Sequence, residues 1–405
     1  MPRPRIRGNP IQTAVETWTA TLPQRQSKHE WPAWRHELIK ATPKRFTIYE
    51  PMALLPAGSL QSEIWETELA QHDAETVDVL WRLILEELSR HGKKQIQLTH
   101  LAVNEGIPLH SAQAQGEQNT RRSPSRLRVL FGDFGPAQVS EQAASLDSKQ
   151  LDAALWVSTR QNGIVQTWAP RWTMFSRGNV KEKARLLTFA CADQCDEPLG
   201  EEWAVDLYAG IGYFTFCYAA LGFRVLGWEM NPWSVEGLRR GAHANGWTVR
   251  VVQGDELLRP LNQVLAGQER IIVFLESNDK ARQRIDELQH AGIARNLSHV
   301  NCGLLPTSAA TWQAAWHMTR FTCQSWLHLH ENIGVRDIES RRQSVSQLFD
   351  SWDSSQGNQR VSAVHHVELV KTFAPDVWHC VLDVRITQNL CTSNDASRPN
   401  FEKRK

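Results

Sequence analysis

The stretch Val205-Asp206-Leu207-Tyr208-Ala209-Gly210-Ile211-Gly212-Tyr213-Phe214-Thr215 most constrains what this chain can fold into. An apolar run closes on an acid, passes through two glycines and enters a helix-forming segment. Gly210 and Gly212 permit a tight turn and close approach of the backbone to a ligand. A second apolar run, Arg224 to Glu229, ends in another acid. That acid follows the turn by about 20 residues, where folds of this kind hydrogen-bond a ribose diol. Two features depart from a dinucleotide fingerprint: Thr215 stands where a third glycine would be, and Asp206 precedes the turn. A carboxylate there would repel a pyrophosphate but suits an ammonium. The pattern predicts the adenosyl-binding half of a class I S-adenosylmethionine (SAM) enzyme, with Asp206 serving the methionine ammonium.

At 405 residues the chain has room for two domains. A net charge of +1 gives no global attraction for nucleic acid, so any RNA contact must come from local patches. The seven cysteines form no Cys-x-x-Cys pair, which argues against structural zinc or a disulfide framework. There is no apolar run of membrane-spanning length, and Met1 to Arg7 lacks the apolar core of a secretory signal. A cytoplasmic enzyme is expected, with no metal, no membrane and no obligatory protein partner.

Along the chain, Trp31 to Ile39 and Trp65 to Leu88 have helical apolar spacing. Phe46 to Leu60 starts as a β-type run and ends in the Pro56-Ala57-Gly58 turn signal, and Gln95 to Val103 reads as a strand. Ser111 to Arg126 is nearly devoid of apolar residues and reads as a mobile insertion. Ala153 to Ser158 and Gly163 to Ala169 read as strands around the hairpin signal Asn162-Gly163. Asn179 is placed to cap a helix over Val180 to Phe189. From Trp203 onward strands and helices alternate, with strands expected at 203–207, 224–229, 249–253, 271–275, 298–304 and 324–330. Val364 to Phe373 and Trp378 to Ile386 then form a closing antiparallel hairpin. The expected fold is α/β: a class I methyltransferase-like (Rossmann-type) sheet with helices on both faces, preceded by a smaller α+β domain. The domains expected are 1–150, 151–390 and a disordered tail, 391–405.

Four further constellations carry possible chemistry. In Gln253-Gly254-Asp255-Glu256, at a strand end, an acid can accept from an adenine amino group while backbone amides face the ring nitrogens. Asn301 to Pro306 offers acceptors over the switch-point crevice. Alternation sends His328 and His330 to one sheet face. With no third ligand evident, a structural pair is favoured over metal, and a substrate-facing base is a second option. Arg177, Lys181, Lys183 and Arg185 cluster at the domain junction, either as a solvated helix face or as a site for a cofactor carboxylate or RNA phosphate.

Asp206 to Thr215, Leu54 to Ser59, Phe131 to Pro136, Trp156 to Thr159, Met174 to Asn179, Asn301 to Pro306, Leu327 to Asn332 and Ala374 to Val384 together resemble the tRNA wybutosine-synthesising protein 2 family. These strings span roughly residues 50 to 385 in the family's order. The resemblance implies transfer of the 3-amino-3-carboxypropyl group of SAM to carbon 7 of 4-demethylwyosine, at position 37 of tRNA-Phe, with release of 5′-methylthioadenosine. The alternatives are a SAM-dependent tRNA guanine-N1 methyltransferase and a non-catalytic SAM- and tRNA-binding protein. It further implies that Ser176 and Lys183 contact SAM, that Glu229 binds the ribose, and that Asp255 with Glu256 frames the adenine. The family has Asn after that Asp; a backbone contact from Glu256 survives the substitution, and a side-chain contact is left open. Asp206, Gly210, Gly212 and Asn301 complete the expected cofactor set. No residue is singled out as the base that takes the carbon 7 proton. The first 150 residues, with Arg121, Arg122, Arg126 and Arg128, are expected to recognise tRNA.

Overall fold

The computed structural model describes residues 8–23, 30–91, 96–105, 127–137, 147–189, 201–355 and 360–388. The segment 111–126 and the tail after 390 lie outside them, as do Arg121, Arg122 and Arg126. By contacts the chain divides into two compact units: 1–176 with 231–245, and 177–230 with 246–405.

The first unit contains helices α1 (Pro10–Thr21), α2 (Glu30–Lys40), α3 (Glu63–Ala70), α4 (Ala74–His91) and α5 (Ser148–Ala153). Strands β1 (Thr47–Tyr49), β2 (Met52–Leu55), β3 (His100–Asn104) and β4 (Leu127–Phe131) form a sheet in that order. α1 is capped by Asn9, whose side chain accepts from the Ile11 and Gln12 amides, and it buries Trp18 against Trp65. The single helical run expected over 65–88 is broken in two. Asp73 Oδ1 accepts from the Thr76 amide at 2.8 Å and starts α4 afresh. The strand expected from Ala153 begins later, because a capping box between Asp147 and Gln150 commits 148–153 to α5. β5 (Val157–Gln161) and β6 (Ile164–Trp168) then pair across Asn162-Gly163, both at positive φ as a type I′ turn requires. Arg128 donates to Glu105 and to the Ser59 carbonyl.

The second unit begins with α6 (Val180–Leu187). Asn179 does not cap it: the residue closes a 3-10 turn and makes no capping bond. An eight-stranded sheet follows, containing β7 (Trp203–Asp206), β8 (Arg224–Glu229), β9 (Val249–Val252), β10 (Ile271–Leu275), β11 (Leu297–Cys302), β12 (Gln324–Gly334), β13 (Arg360–Ala374) and β14 (Val377–Gln388). The order is β13-β14-β12-β11-β7-β8-β10-β9. β7 to β12 pair in parallel and β12–β14–β13 antiparallel. Helix α7 (Thr215–Ala220) leaves the glycine turn; the helix Pro232–Ala244 belongs to the first unit, where it packs on β6 and stacks Trp233 on Trp172. Val205, Leu226, Ile272, Phe274, Val300, Leu327 and Leu382 are among the fully buried residues of the sheet's core. Among the described residues no helix is long and apolar enough to cross a membrane.

Candidate functional site

The glycine turn joins β7 to α7. Gly210 and Gly212 have φ of +53° and +89°, values an L side chain rarely adopts. A Cβ on Gly212 would lie 2.5 Å from the Phe216 ring. The turn is tied at both ends: the Leu207 amide donates to the Asn301 carbonyl (3.0 Å) and the Ala209 amide to the Trp228 carbonyl (2.9 Å).

Asp206 is fully buried at the centre of this arrangement. Its Oδ1 accepts from the Asn301 side-chain amide at 2.9 Å and from the Tyr208 backbone at 3.3 Å. Its Oδ2 accepts from the Thr215 amide at 3.0 Å and hydroxyl at 2.8 Å. Burial pushes the carboxyl above its usual range, while these donors pull against it. The lone pairs expected to meet the methionine ammonium are therefore directed at β11 and α7. Asn301 likewise turns its amide and its backbone acceptor inward.

At the end of β8, Glu229 Oε2 accepts from the Gly210 amide at 2.9 Å, so the acid stands directly over the turn. The strand hydrogen-bonded to β8 is β10, with Leu275 in register with Glu229. β9 lies one strand further out, at the sheet edge. Asp255 is exposed in a turn after β9, and the Glu256 carboxylate pairs with Arg250 at 3.2 Å. The residues beside Glu229 are instead Glu276, Ser277 and Asn278. Asn278 Nδ2 donates to the Leu207 carbonyl at 2.8 Å, and Glu276 accepts from Trp228 Nε1 at 3.1 Å. Sequence reasoning missed this loop. The available signal was the polar run Glu276-Ser277-Asn278-Asp279 directly after the apolar strand Ile271–Leu275.

Ser176 and Arg177 fall on either side of the division between units, and the other members of the basic cluster, Lys181, Lys183 and Arg185, lie on α6. Lys181 is committed to Glu368 and the Leu369 carbonyl. Arg185 donates to Asp383 through Nη1 (2.6 Å) and Nη2 (3.1 Å), and to Glu182 through Nε (2.8 Å) and Nη2 (2.6 Å). Lys183 is 3% exposed, with its ammonium 5.8 Å from the centre of the Tyr213 ring in the glycine turn. Burial pulls that ammonium down to about 8.

His328 and His330 share a face, as alternation required. His328 Nδ1 is 2.7 Å from Asp383 and its Nε2 is 3.1 Å from His299 Nδ1. Burial opposes the charge on Asp383, but His328 and Arg185 outweigh it and hold the carboxyl at about 2. His330 Nδ1 meets His379 Nε2 at 2.9 Å, and its ring sits 5.0 Å from that of Phe214. Burial drives His299 and His330 well below the usual imidazole range, so both rings are neutral near pH 7. Among the described residues no cluster able to hold a metal ion is present. The partners of both rings, His299, Asp383 and His379, lie on neighbouring strands.

This sheet, the glycine turn and the acid over it are those of a class I SAM-dependent transferase. The fold is similar to the crystal structure of Pyrococcus horikoshii TYW2 in complex with MeSAdo: TM-score 0.53 and 17% identity, covering 93% of this chain and 99% of that one. No family model matches the chain. It is 38% identical over 351 residues to the tRNA wybutosine-synthesizing protein 2 of Schizosaccharomyces pombe, covering 84% of this chain and 72% of that protein. It is 32% identical over 380 residues to the Saccharomyces cerevisiae protein of the same name, covering 86% and 75%. The chain belongs to the tRNA wybutosine-synthesising protein 2 family.

Proposed function

We propose that the acceptor is carbon 7 of 4-demethylwyosine at position 37 of tRNA-Phe, and that the glycine turn with Glu229 and Lys183 holds the donor. The reaction is transfer of the 3-amino-3-carboxypropyl group of SAM in wybutosine synthesis. The bond from sulfur to the γ-carbon breaks, a bond from that carbon to carbon 7 forms, and carbon 7 loses a proton. The sulfonium becomes the neutral thioether of methylthioadenosine, so the released proton carries away the positive charge. All three carbons on the sulfonium are electrophilic, so choosing among them is a matter of aim. The acceptor base must leave the anticodon-loop stack to react.

The observation that supports the donor site is the Glu229 carboxylate 2.9 Å from the Gly210 amide, where it can accept from a ribose diol as well. Gly210 and Gly212 admit the methionine chain close to the backbone. Lys183 offers the carboxylate of SAM a buried cation, and Ser176 precedes this segment in sequence. Asp206 and Asn301 hold the turn rather than the ammonium. The adenine is read by the loop Glu276–Asn278, because its strand is the neighbour of β8; Asp255 and Glu256 stand one strand away.

The reaction is tested by following label. Label in the carboxyl carbon of SAM is expected to enter hypomodified tRNA-Phe, and methyl label to remain in methylthioadenosine. Methyl label in the tRNA would instead establish the guanine-N1 methyltransferase, and neither label would leave a binding protein. For the site, Glu229→Ala is expected to weaken SAM by about 1.5–3 kcal/mol, the worth of a charge-assisted pair. Asp255→Ala should leave affinity within twofold in the same calorimetric titration. Equal losses would return the adenine to Asp255.

A pH dependence follows from Lys183. Its ammonium loses its proton near pH 8 in the free protein, and a SAM carboxylate favours the charged form. Affinity should therefore be flat below about pH 8 and fall above it, by up to about tenfold per pH unit. Lys183→Met should remove that component, leaving only the titration of the SAM amino group. Identical pH profiles for the two proteins would exclude Lys183.

A further inference from the structure

α6 is two turns long, too short to hold its own shape without tertiary anchoring. It buries Glu182, Lys183 and Leu186. Leu186 fixes how close the helix lies, but an apolar contact is tolerant of rotation about the helix axis. Arg185 is not. Its planar guanidinium takes Glu182 from its own helix on one edge and Asp383 of β14 on the other, four contacts between 2.6 and 3.1 Å. Asp383 is then oriented by His328 of β12 at 2.7 Å, and His328 by His299 of β11 at 3.1 Å. One chain of hydrogen bonds thus runs from α6 across three strands of the sheet.

Such a chain is an expensive way merely to attach a helix. Asp383 and Glu182 are 1% exposed, and desolvating buried ions often cancels their attraction, so that apolar side chains of equal volume would hold the helix as well or better. What the ions add is direction, since a bidentate guanidinium fork fixes angle as well as distance. Arg185 and Lys183 are separated by roughly 200° around the helix. The fork faces β14 while Lys183 faces α7, where its carbonyl is 3.9 Å from Cys217 Sγ and its ammonium lies over Tyr213. Rotation of α6 is therefore converted directly into displacement of the Lys183 ammonium along the glycine turn.

We propose that Glu182, Arg185, Asp383 and His328 form a positioning network that aims the Lys183 ammonium at the carboxylate end of SAM. The proposal rests on the reading of Lys183 given above. The four residues touch no reacting atom; they act through Lys183.

The test compares two ligands of the full-length protein. SAM has the carboxylate, and 5′-methylthioadenosine has the adenosyl half alone. Asp383→Asn and Arg185→Lys, which keeps the charge but loses the fork, are expected to weaken SAM about tenfold, equivalent to about 1.4 kcal/mol. Both should leave methylthioadenosine within twofold. Lys183→Ala should show the same split, and Lys183→Ala combined with Asp383→Asn should bind no worse than Lys183→Ala alone. Equal weakening of both ligands, or additive losses in the double variant, overturns the proposal in favour of a purely structural network. If Lys183→Ala loses SAM but Asp383→Asn and Arg185→Lys do not, this proposal alone falls. If Lys183→Ala binds SAM normally, the Lys183 reading falls and takes this proposal with it. Should Asp383→Asn fail to fold, His328→Leu, which removes the donor toward Asp383, is judged by the same split.

Discussion

Asp206→Ala is expected to destabilise the second unit and abolish SAM binding together. The carboxylate is fully buried and accepts from the Asn301 amide, the Thr215 amide and hydroxyl, and the Tyr208 amide. Alanine leaves those donors without an acceptor and no water to replace it. Each buried group left unsatisfied costs about 1–3 kcal/mol, so a total loss of at least about 3 kcal/mol is expected. The denaturant midpoint reads it, with the slope unchanged if the native state stays compact. Asp206→Asn should recover little, because its amide nitrogen points a donor at donors. A variant of normal stability that had lost only SAM binding would show that Asp206 meets the cofactor directly, as the sequence suggested.

Gly212→Val is expected to fold but to lose the cofactor. At φ +89° a β-branched residue is strained, and its Cβ would lie 2.5 Å from the ring of the fully buried Phe216. Left-handed backbone costs roughly 1–2 kcal/mol and overpacking about 1–3 kcal/mol. The turn escapes both by moving, and SAM affinity should fall at least about thirtyfold. Gly222→Ala is the control. It also lies at positive φ, +101°, but nothing stands within 4 Å of the added Cβ. It should cost backbone strain of about 1–2 kcal/mol and leave SAM affinity unchanged. If calorimetry finds SAM binding intact in Gly212→Val, the turn is not where the donor lies.

Much of the second unit was legible because its signals are local. The strands 224–229 and 271–275 fell where the apolar runs are, since a strand covered on both faces needs unbroken burial. The glycine turn was legible because only glycine meets the backbone there without strain, and the Asn162-Gly163 hairpin because asparagine and glycine are the residues that best tolerate positive φ. Helix starts were less legible. Asn179 has a capping side chain but closes a 3-10 turn instead, and Asp73 breaks a continuous apolar pattern into two helices. In both cases local hydrogen bonds chose between conformations that the apolar spacing left equal.

Sequence by itself determined the class of fold, the glycine turn and the acid that stands over it, because each depends on residues close in the chain. Only the tertiary structure decided strand adjacency. β10, not β9, lies beside β8, and this puts the loop after Leu275, rather than Asp255, next to Glu229. Tertiary structure also decided what the charged side chains do. Asp206 faces Asn301, 95 residues away, and Arg185 faces Asp383, 198 residues away. A carboxylate or guanidinium reads the same in sequence whether it waits for a ligand or is already paired. Its partner is fixed by which strands the sheet brings side by side, and no local pattern records that.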